Sequence, residues 1–459
     1  MSNISNEKLK WLITIILPLC IMFIPLSELY TQSLRIFFIV TLFAIMLVVF
    51  DLVDSLVAAM VLFMGYSVTG IAEASVVFSA WSNDVAWMII GSLVFCAALE
   101  KTGIMNRLAY HLILKLGGSY SKMLWAIYFA ALLISFLTSV TGFPLFATIV
   151  FGICHGMGYK MGSREANGVV FAAMTGAVAP FAWLYNPINA GVGASVINMF
   201  DASLTITWMS YLQTAVPWLI FDIIWMVLIT KVFFKPRDNN ISAAYFQQEL
   251  SKLGSMSNAE KKAIVLTLLV VAYLIGSSFL GWKTAYGFSI LAWAVFLPGI
   301  HLADGEALKK VNFGIVFFTV ACISIGTVGN AVGVGTLITG IVSPMLQGLS
   351  DVAYIFGVWI ISTISNFLLT PVAVTTALGV PMMQIGVDLG ISPVATLFTM
   401  IMNTSNVFMP HENTAYLLYF ALGLFSMKDF IKYNSIRMML HLIFMMVVIV
   451  PYWYFIGIL

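Results

Sequence analysis

The sequence predicts an all-α polytopic membrane protein. Three observations carry that prediction: the apolar content, the scarcity of charge, and the length of the apolar runs. Of 459 residues, 61% are apolar and 9% charged, against roughly 45–50% and about 25% in soluble domains. So few charged groups cannot coat a soluble domain of this size, and the mean hydropathy of +1.02 agrees. The runs at 123–138, 263–281 and 436–459 are continuous and helix-length, whereas barrel strands alternate apolar and polar residues over about 10 positions. A helical span takes about 20 residues, so the chain has room for roughly a dozen.

These facts exclude a soluble enzyme, a nucleic-acid binder, a disordered scaffold and a secreted disulfide module. The net charge of +2 suggests no polyanionic partner. Cys20, Cys96, Cys154 and Cys322 are scattered through apolar runs with no CxxC pair, so neither disulfides nor a metal cluster is expected. The first apolar run, from Trp11, offers no small-residue cleavage site over residues 16–20 and is read as a retained span.

Residues 231–262 form the one long polar interruption. They carry Lys231, Lys235, Arg237, Lys252, Lys261 and Lys262 against Asp238, Glu249 and Glu260. That excess of positive charge places the linker in the cytoplasm and separates a first half, 1–230, from a second, 263–459. Two short, proline-containing apolar stretches, near 139–157 and 365–384, begin on polar tripeptides. Broken pieces of this kind suggest re-entrant hairpins or unwound helices. Ser139-Val140-Thr141 has a counterpart 226 residues later in Ser365-Asn366-Phe367, and Pro187-Ile188-Asn189 has one 224 residues later in His411-Glu412-Asn413. The near-constant offset suggests an internal duplication, with chance matching of short strings as the alternative. The Gly-rich run 326–335 lacks the Gly-Lys-Ser/Thr ending of a phosphate loop and reads as close helix packing or a helix break.

Three stretches carry a resemblance. They are Glu249 to Lys262 (ELSKLGSMSNAEKK), Trp87-Met88-Ile89-Ile90-Gly91 running to Glu100-Lys101-Thr102-Gly103-Ile104, and Ser426 to Lys432 (SMKDFIK). With the order of apolar segments, they make the chain similar to the divalent anion:sodium symporters, carriers of dicarboxylates, citrate or sulfate. The resemblance implies an inverted-repeat transporter with about eleven spans and two re-entrant hairpins, working as a homodimer by an elevator motion. In that family each hairpin tip carries Ser-Asn-Thr, which contacts substrate carboxylate and helps hold sodium. Here Val140 stands for the first asparagine and Phe367 for the second threonine. The family's Gly-Thr-Pro-Pro-Asn segment becomes Tyr185-Asn186-Pro187-Ile188-Asn189, and its second-half counterpart Met409-Pro410-His411-Glu412-Asn413. Weak sodium dependence is the expectation, because Val140 removes an amide oxygen and Tyr185 should crowd a cation cage that glycine leaves open.

An anion near the membrane midplane is best held by hydroxyls, amides and half-helix N-termini, which grip without full neutralisation. The candidates for substrate are Ser139, Thr141, Asn189, Ser365, Asn366 and Asn413. Those for a cation are Ser135, Ser139, Ser365 and Asn366. Each could instead be a helix cap or an interhelical hydrogen bond. Ionisable groups in apolar segments are costly and default to functional candidates. Asp222, His411 and Glu412 are therefore the proton-coupling candidates. The blander alternatives are a scaffold acid for Asp222 and an aqueous loop for the other two.

Together these readings predict a multi-pass cell-membrane protein, a secondary active transporter of a small di- or tricarboxylate. Coupling would be to Na+ or H+, or transport would run by exchange, with no other cofactor. The rival is a cation/proton antiporter, with His411, Glu412 and Asp222 as the exchanging groups. No Walker motif is present, and scattered histidines argue against an enzyme.

Overall fold

The computed structural model describes residues 2–50, 52–138, 142–235, 244–309, 311–346, 348–366 and 370–459. These residues form helices and connecting turns, with no strand among them. Twelve helices position the site. They are α1 (Tyr120–Leu137), α2 (Phe143–Gly156), α3 (Arg164–Val178), α4 (Asn189–Phe200), α5 (Trp218–Leu228), α6 (Asn258–Leu280), α7 (Phe313–Val332), α8 (Asp351–Asn366), α9 (Pro371–Asp388), α10 (Pro393–Met402), α11 (Thr414–Ala421) and α12 (Met427–Phe444).

Local chemistry sets where these helices start and stop. The Thr370 and Ser392 side chains accept from backbone amides at the starts of α9 and α10, and a proline occupies the first helical position of each, where its missing N–H costs nothing. Ser257 and Glu260 form a reciprocal capping box on α6, which ends at Gly281 in the left-handed conformation, φ 68°. Gly326 lies inside α7, and a Cβ there would come within 2.7 Å of the Thr376 carbonyl oxygen on α9. The Gly-rich run thus holds both a close-packing position, Gly326, and a helix break, Gly333, which ends α7 in the left-handed conformation, φ 92°.

Among the described residues, six helices are long and apolar enough to cross a membrane. A bent pair, Trp208–Ala215 with Trp218–Phe233, angled by 50°, makes a seventh. The apolar stretches 168–184 and 393–409 are each broken where α3 and α10 end, at residues 178 and 402. The N-terminal helix Ser2–Cys20 holds Pro18 inside it and is not among the six. The apolar surface continues outward on α5 and α6, where Ile220, Ile223, Ile224, Leu268, Leu269 and Phe279 are exposed. Such faces suit a hydrocarbon environment. Ion pairs mark both ends of the helix Asp84–Thr102: Lys283 with Asp84 at 3.3 Å and Lys101 with Asp304 at 2.6 Å.

The order of elements in 120–200 recurs in 351–421. In both, two helices are followed by a third that breaks, then by a short fourth. The break points, 178 and 402, are 224 residues apart, which is the offset between Asn189 and Asn413. Ser139, Thr141 and Phe367 lie outside the described residues.

The linker residues up to α6 are gripped by a single side chain. Arg107, on the helix Ile104–Leu116, pairs through Nε with Glu260 at 2.5 Å and donates to the carbonyls of Gly254 and Leu253 at 2.9 and 3.0 Å. Arg107 and Glu260 are both buried, so removing one partner strands a charge. Arg107→Met should destabilise the protein by about 3–5 kcal/mol, and adding Glu260→Gln should recover part of that loss. Denaturant unfolding in detergent measures both; equal stability of Arg107→Met and parent would contradict the clamp.

Candidate functional site

The two helix breaks lie against each other. Between α3 and α4 the chain runs irregularly through residues 179–188; between α10 and α11 it does so through 403–413. Inside a membrane protein each freed backbone group needs a partner, and side chains supply them. In the first break, the Phe181 carbonyl accepts from the side-chain amides of Asn186 and Asn189 and from the Tyr211 hydroxyl. The Leu184 carbonyl accepts from Asn186 at 2.9 Å, and the Ala182 carbonyl from Tyr211 at 3.1 Å. In the second break, Asn366 Nδ2 reaches the carbonyls of Asn403 and Asn406, at 3.3 and 3.4 Å. Asn403 Nδ2 turns back to Thr363 Oγ1 at 2.8 Å.

One bond joins the two breaks directly: Asn189 Nδ2 donates to Thr404 Oγ1 at 2.7 Å. Beside it Asn189, Thr375 and Thr404 close together with Ile188, Val372 and Ile401, leaving no room for a water molecule. Amide and hydroxyl groups from both halves thus share one buried spot.

A second bridge runs through charges. Trp183 Nε1, in the first break, donates to Asp222 Oδ2 at 2.8 Å. Asp222 Oδ1 lies 3.9 Å from Arg437 Nη2, and Arg437 Nη1 donates to the Ser405 carbonyl of the second break at 2.9 Å. Both charged residues are buried, and the Phe221 ring lies 5.4 Å from the guanidinium carbon. Four residues on from Arg437, His441 stacks on Trp218 at 3.9 Å, with Nδ1 within reach of Trp359 Nε1 at 3.1 Å and Asn406 Nδ2 at 2.9 Å. Around this chain, Tyr128 Oη, Asn434 Nδ2 and His441 Nε2 are buried without a protein hydrogen-bond partner, the sort of leftover that water or a ligand takes up.

The structure sorts the sequence-derived candidates. Asn189 and Asn366 sit on the two breaks. Ser365 is half-buried beside Asn366 on the last turn of α8. Ser135 donates to the Ala177 carbonyl of α3 at 3.2 Å, one turn before the first break. Asn413 is half-buried and caps α11 through Ala415 N, so it does not mirror Asn189. Glu412 is buried, yet its carboxylate is spent on the amides of Phe408 and Met409, the latter at 2.6 Å. His411 belongs to the turn Pro410–Glu412, and its side chain lies outside the described residues. Asp222 is buried, with Trp183 of the first break and Arg437 as its polar neighbours. Tyr185 lies within the first break, and its buried ring packs against Tyr211 at 5.7 Å and Phe288 at 6.3 Å.

Sequence reasoning missed Asn403-Thr404-Ser405-Asn406, Arg437 and His441. The signals were present: four consecutive polar residues inside the apolar segment 393–409, and two ionisable residues four apart in the run 436–459, on one helix face.

Comparison with known proteins fits this arrangement. The model of the sodium:sulfate symporter transmembrane region matches residues 5–459. The chain belongs to this family. It is a secondary carrier and not an enzyme. The L-tartrate/succinate antiporter of Escherichia coli strain K12 is 22% identical over 354 residues, covering 69% of this chain and 70% of the antiporter. That of Shigella boydii serotype 4 is 22% identical over 368 residues, covering 72% and 73%. Among solved structures, the Alcanivorax borkumensis YdaH transporter shares the fold with a TM-score of 0.55 and 13% identity, over 81% of this chain and 85% of that one.

The Asn189–Thr404 contact yields a direct test. A double-mutant cycle with Asn189→Ala and Thr404→Val, read by unfolding in detergent, should show a coupling of about 0.5–3 kcal/mol. Strict additivity would mean that the bond does not tie the breaks together.

Proposed function

We propose that this carrier moves small organic anions, with di- or tricarboxylates as its substrates, by exchange or by cation-coupled symport. The observation that carries the reading is the pair of buried helix breaks meeting at Asn189 and Thr404. Amides, hydroxyls and helix termini there can hold a carboxylate without neutralising it. The relatives named for tartrate and succinate support it, since both are four-carbon dicarboxylates.

In this reading the two broken units are inverted copies, the linker 231–262 lies in the cytoplasm, and a homodimer supports an elevator motion of the broken helices. The repeated element order supports the duplicated units, and the linker's positive charge supports its cytoplasmic side. Ser139, Thr141, Ser365 and Asn366 contribute from the hairpin tips. A cation/proton antiporter is the second reading, favoured by the buried carboxylate of Asp222 beside the first break.

Counterflow in proteoliposomes tests the choice. Internal unlabelled succinate or tartrate should drive uptake of labelled succinate, with sulfate and amino acids as comparisons. Sodium or proton exchange indifferent to every carboxylate would favour the antiporter. Ser365→Ala and Asn366→Ala should each weaken apparent affinity by about tenfold or more, since a hydrogen bond to a charged ligand contributes about 1.5–3 kcal/mol. Unchanged KM in both would move the substrate away from this hairpin.

A further inference from the structure

The family's description names sodium, and a hard cation such as sodium takes oxygen ligands: freed carbonyls, amide oxygens and hydroxyls. At the two breaks several carbonyls carry hydrogen-bond donors instead. Phe181 and Leu184 are held by Asn186, Asn189 and Tyr211, and Asn403 and Asn406 by Asn366. The Ser405 carbonyl differs from these because its donor is itself a cation, Arg437 Nη1 at 2.9 Å. A carbonyl has a second lone pair, but a full positive charge already sits on this one and repels another. The Ser405 carbonyl is therefore closed to a sodium ion, although Asn406 Oδ1 lies buried at the same break without a hydrogen-bond partner.

We infer that Arg437 is a tethered cation that holds the place of a coupling sodium at the second break, with Asp222 as its counter-ion. The guanidinium does what the ion would do for the backbone: it satisfies a carbonyl that helix breakage has freed. It cannot dissociate, so it carries no ion across the membrane and transport draws nothing from a sodium gradient. Asp222 keeps the buried assembly neutral, at 3.9 Å from Nη2. Through its bond to Trp183 it fixes the charge relative to the first break.

The transport arm of the test rests on the carrier reading above; the binding arm does not. In the binding arm, thermal unfolding of the purified full chain in detergent is titrated with sodium chloride against potassium chloride at equal ionic strength. The parent should show the same Tm in both, and a saturating, sodium-specific rise would overturn the inference. Arg437→Gln combined with Asp222→Asn removes both charges, keeps the site neutral and exposes the Ser405 carbonyl. This double variant should acquire a sodium-specific rise in Tm. A folded, monodisperse double variant with no sodium response would show that Arg437 does not hold an ion's place. If the double variant does not fold, Arg437→Lys decides: it retains a tethered cation and should keep the parent's indifference, whereas a sodium response there would overturn the inference. In the transport arm, dicarboxylate counterflow should run at rates within twofold in sodium and in N-methylglucamine. Acceleration of tenfold or more by sodium would overturn the inference and leave the carrier reading standing. Failure of all carboxylate counterflow would remove the carrier reading and leave the binding result to decide this one.

Discussion

A helix that breaks inside a membrane protein leaves backbone carbonyls and amides with no water to receive them, and each unmet group costs several kcal/mol. Two such breaks lie face to face in this protein, after α3 and after α10. Asn186, Asn189 and Tyr211 satisfy the first, and Asn366 and Arg437 the second. Irregular backbone is tolerated at that depth because protein surrounds it. The same irregularity directs polar groups from both halves toward one spot, which a pair of continuous helices could not do.

The Asp222–Arg437 pair adds a second constraint. Burying either charge alone is expensive, and a pair recovers that cost only with further hydrogen bonds. Both partners have them: Asp222 receives Trp183 N–H, and Arg437 donates to Ser405. Neither bond is to a residue of α5 or α12, where the charges are anchored; each reaches into a break. Aromatic rings enclose the assembly, with Phe221 against the guanidinium and Trp218 against His441. The surrounding helix faces are accordingly fixed by where two charges can be tolerated as well as by packing.

Much of the fold was legible in the sequence. Continuous apolar runs separate helices from barrel strands, the polar stretch 231–262 falls between the repeated units, and the Gly-rich run behaves as close packing at Gly326. The 224-residue offset recurs in the break points themselves. Side-chain roles were less legible, because they depend on which way a backbone turns. Asn189 and Asn413 share the offset, yet one reaches across to Thr404 and the other caps its own helix. Tyr185 was singled out for its size beside a cation cage, whereas its aromatic partners, Tyr211 and Phe288, come from distant segments that no local reading brings together. The rule that singled out Asp222, an ionisable residue in an apolar run, applies equally to Arg437 and His441. Counting the histidines as scattered hid that His441 lies one helical turn from Arg437.

The ion pair also bears on how this chain can diverge. Loss of Asp222 alone leaves Arg437 buried without a counter-charge, and loss of Arg437 alone does the same to Asp222; breaking a buried pair from one side costs about 3–5 kcal/mol. A protein of ordinary stability has only about 5–15 kcal/mol in hand. The two positions therefore cannot drift one at a time. Lineages descending from this carrier should hold both charges or have exchanged both together, although 215 residues of sequence separate them.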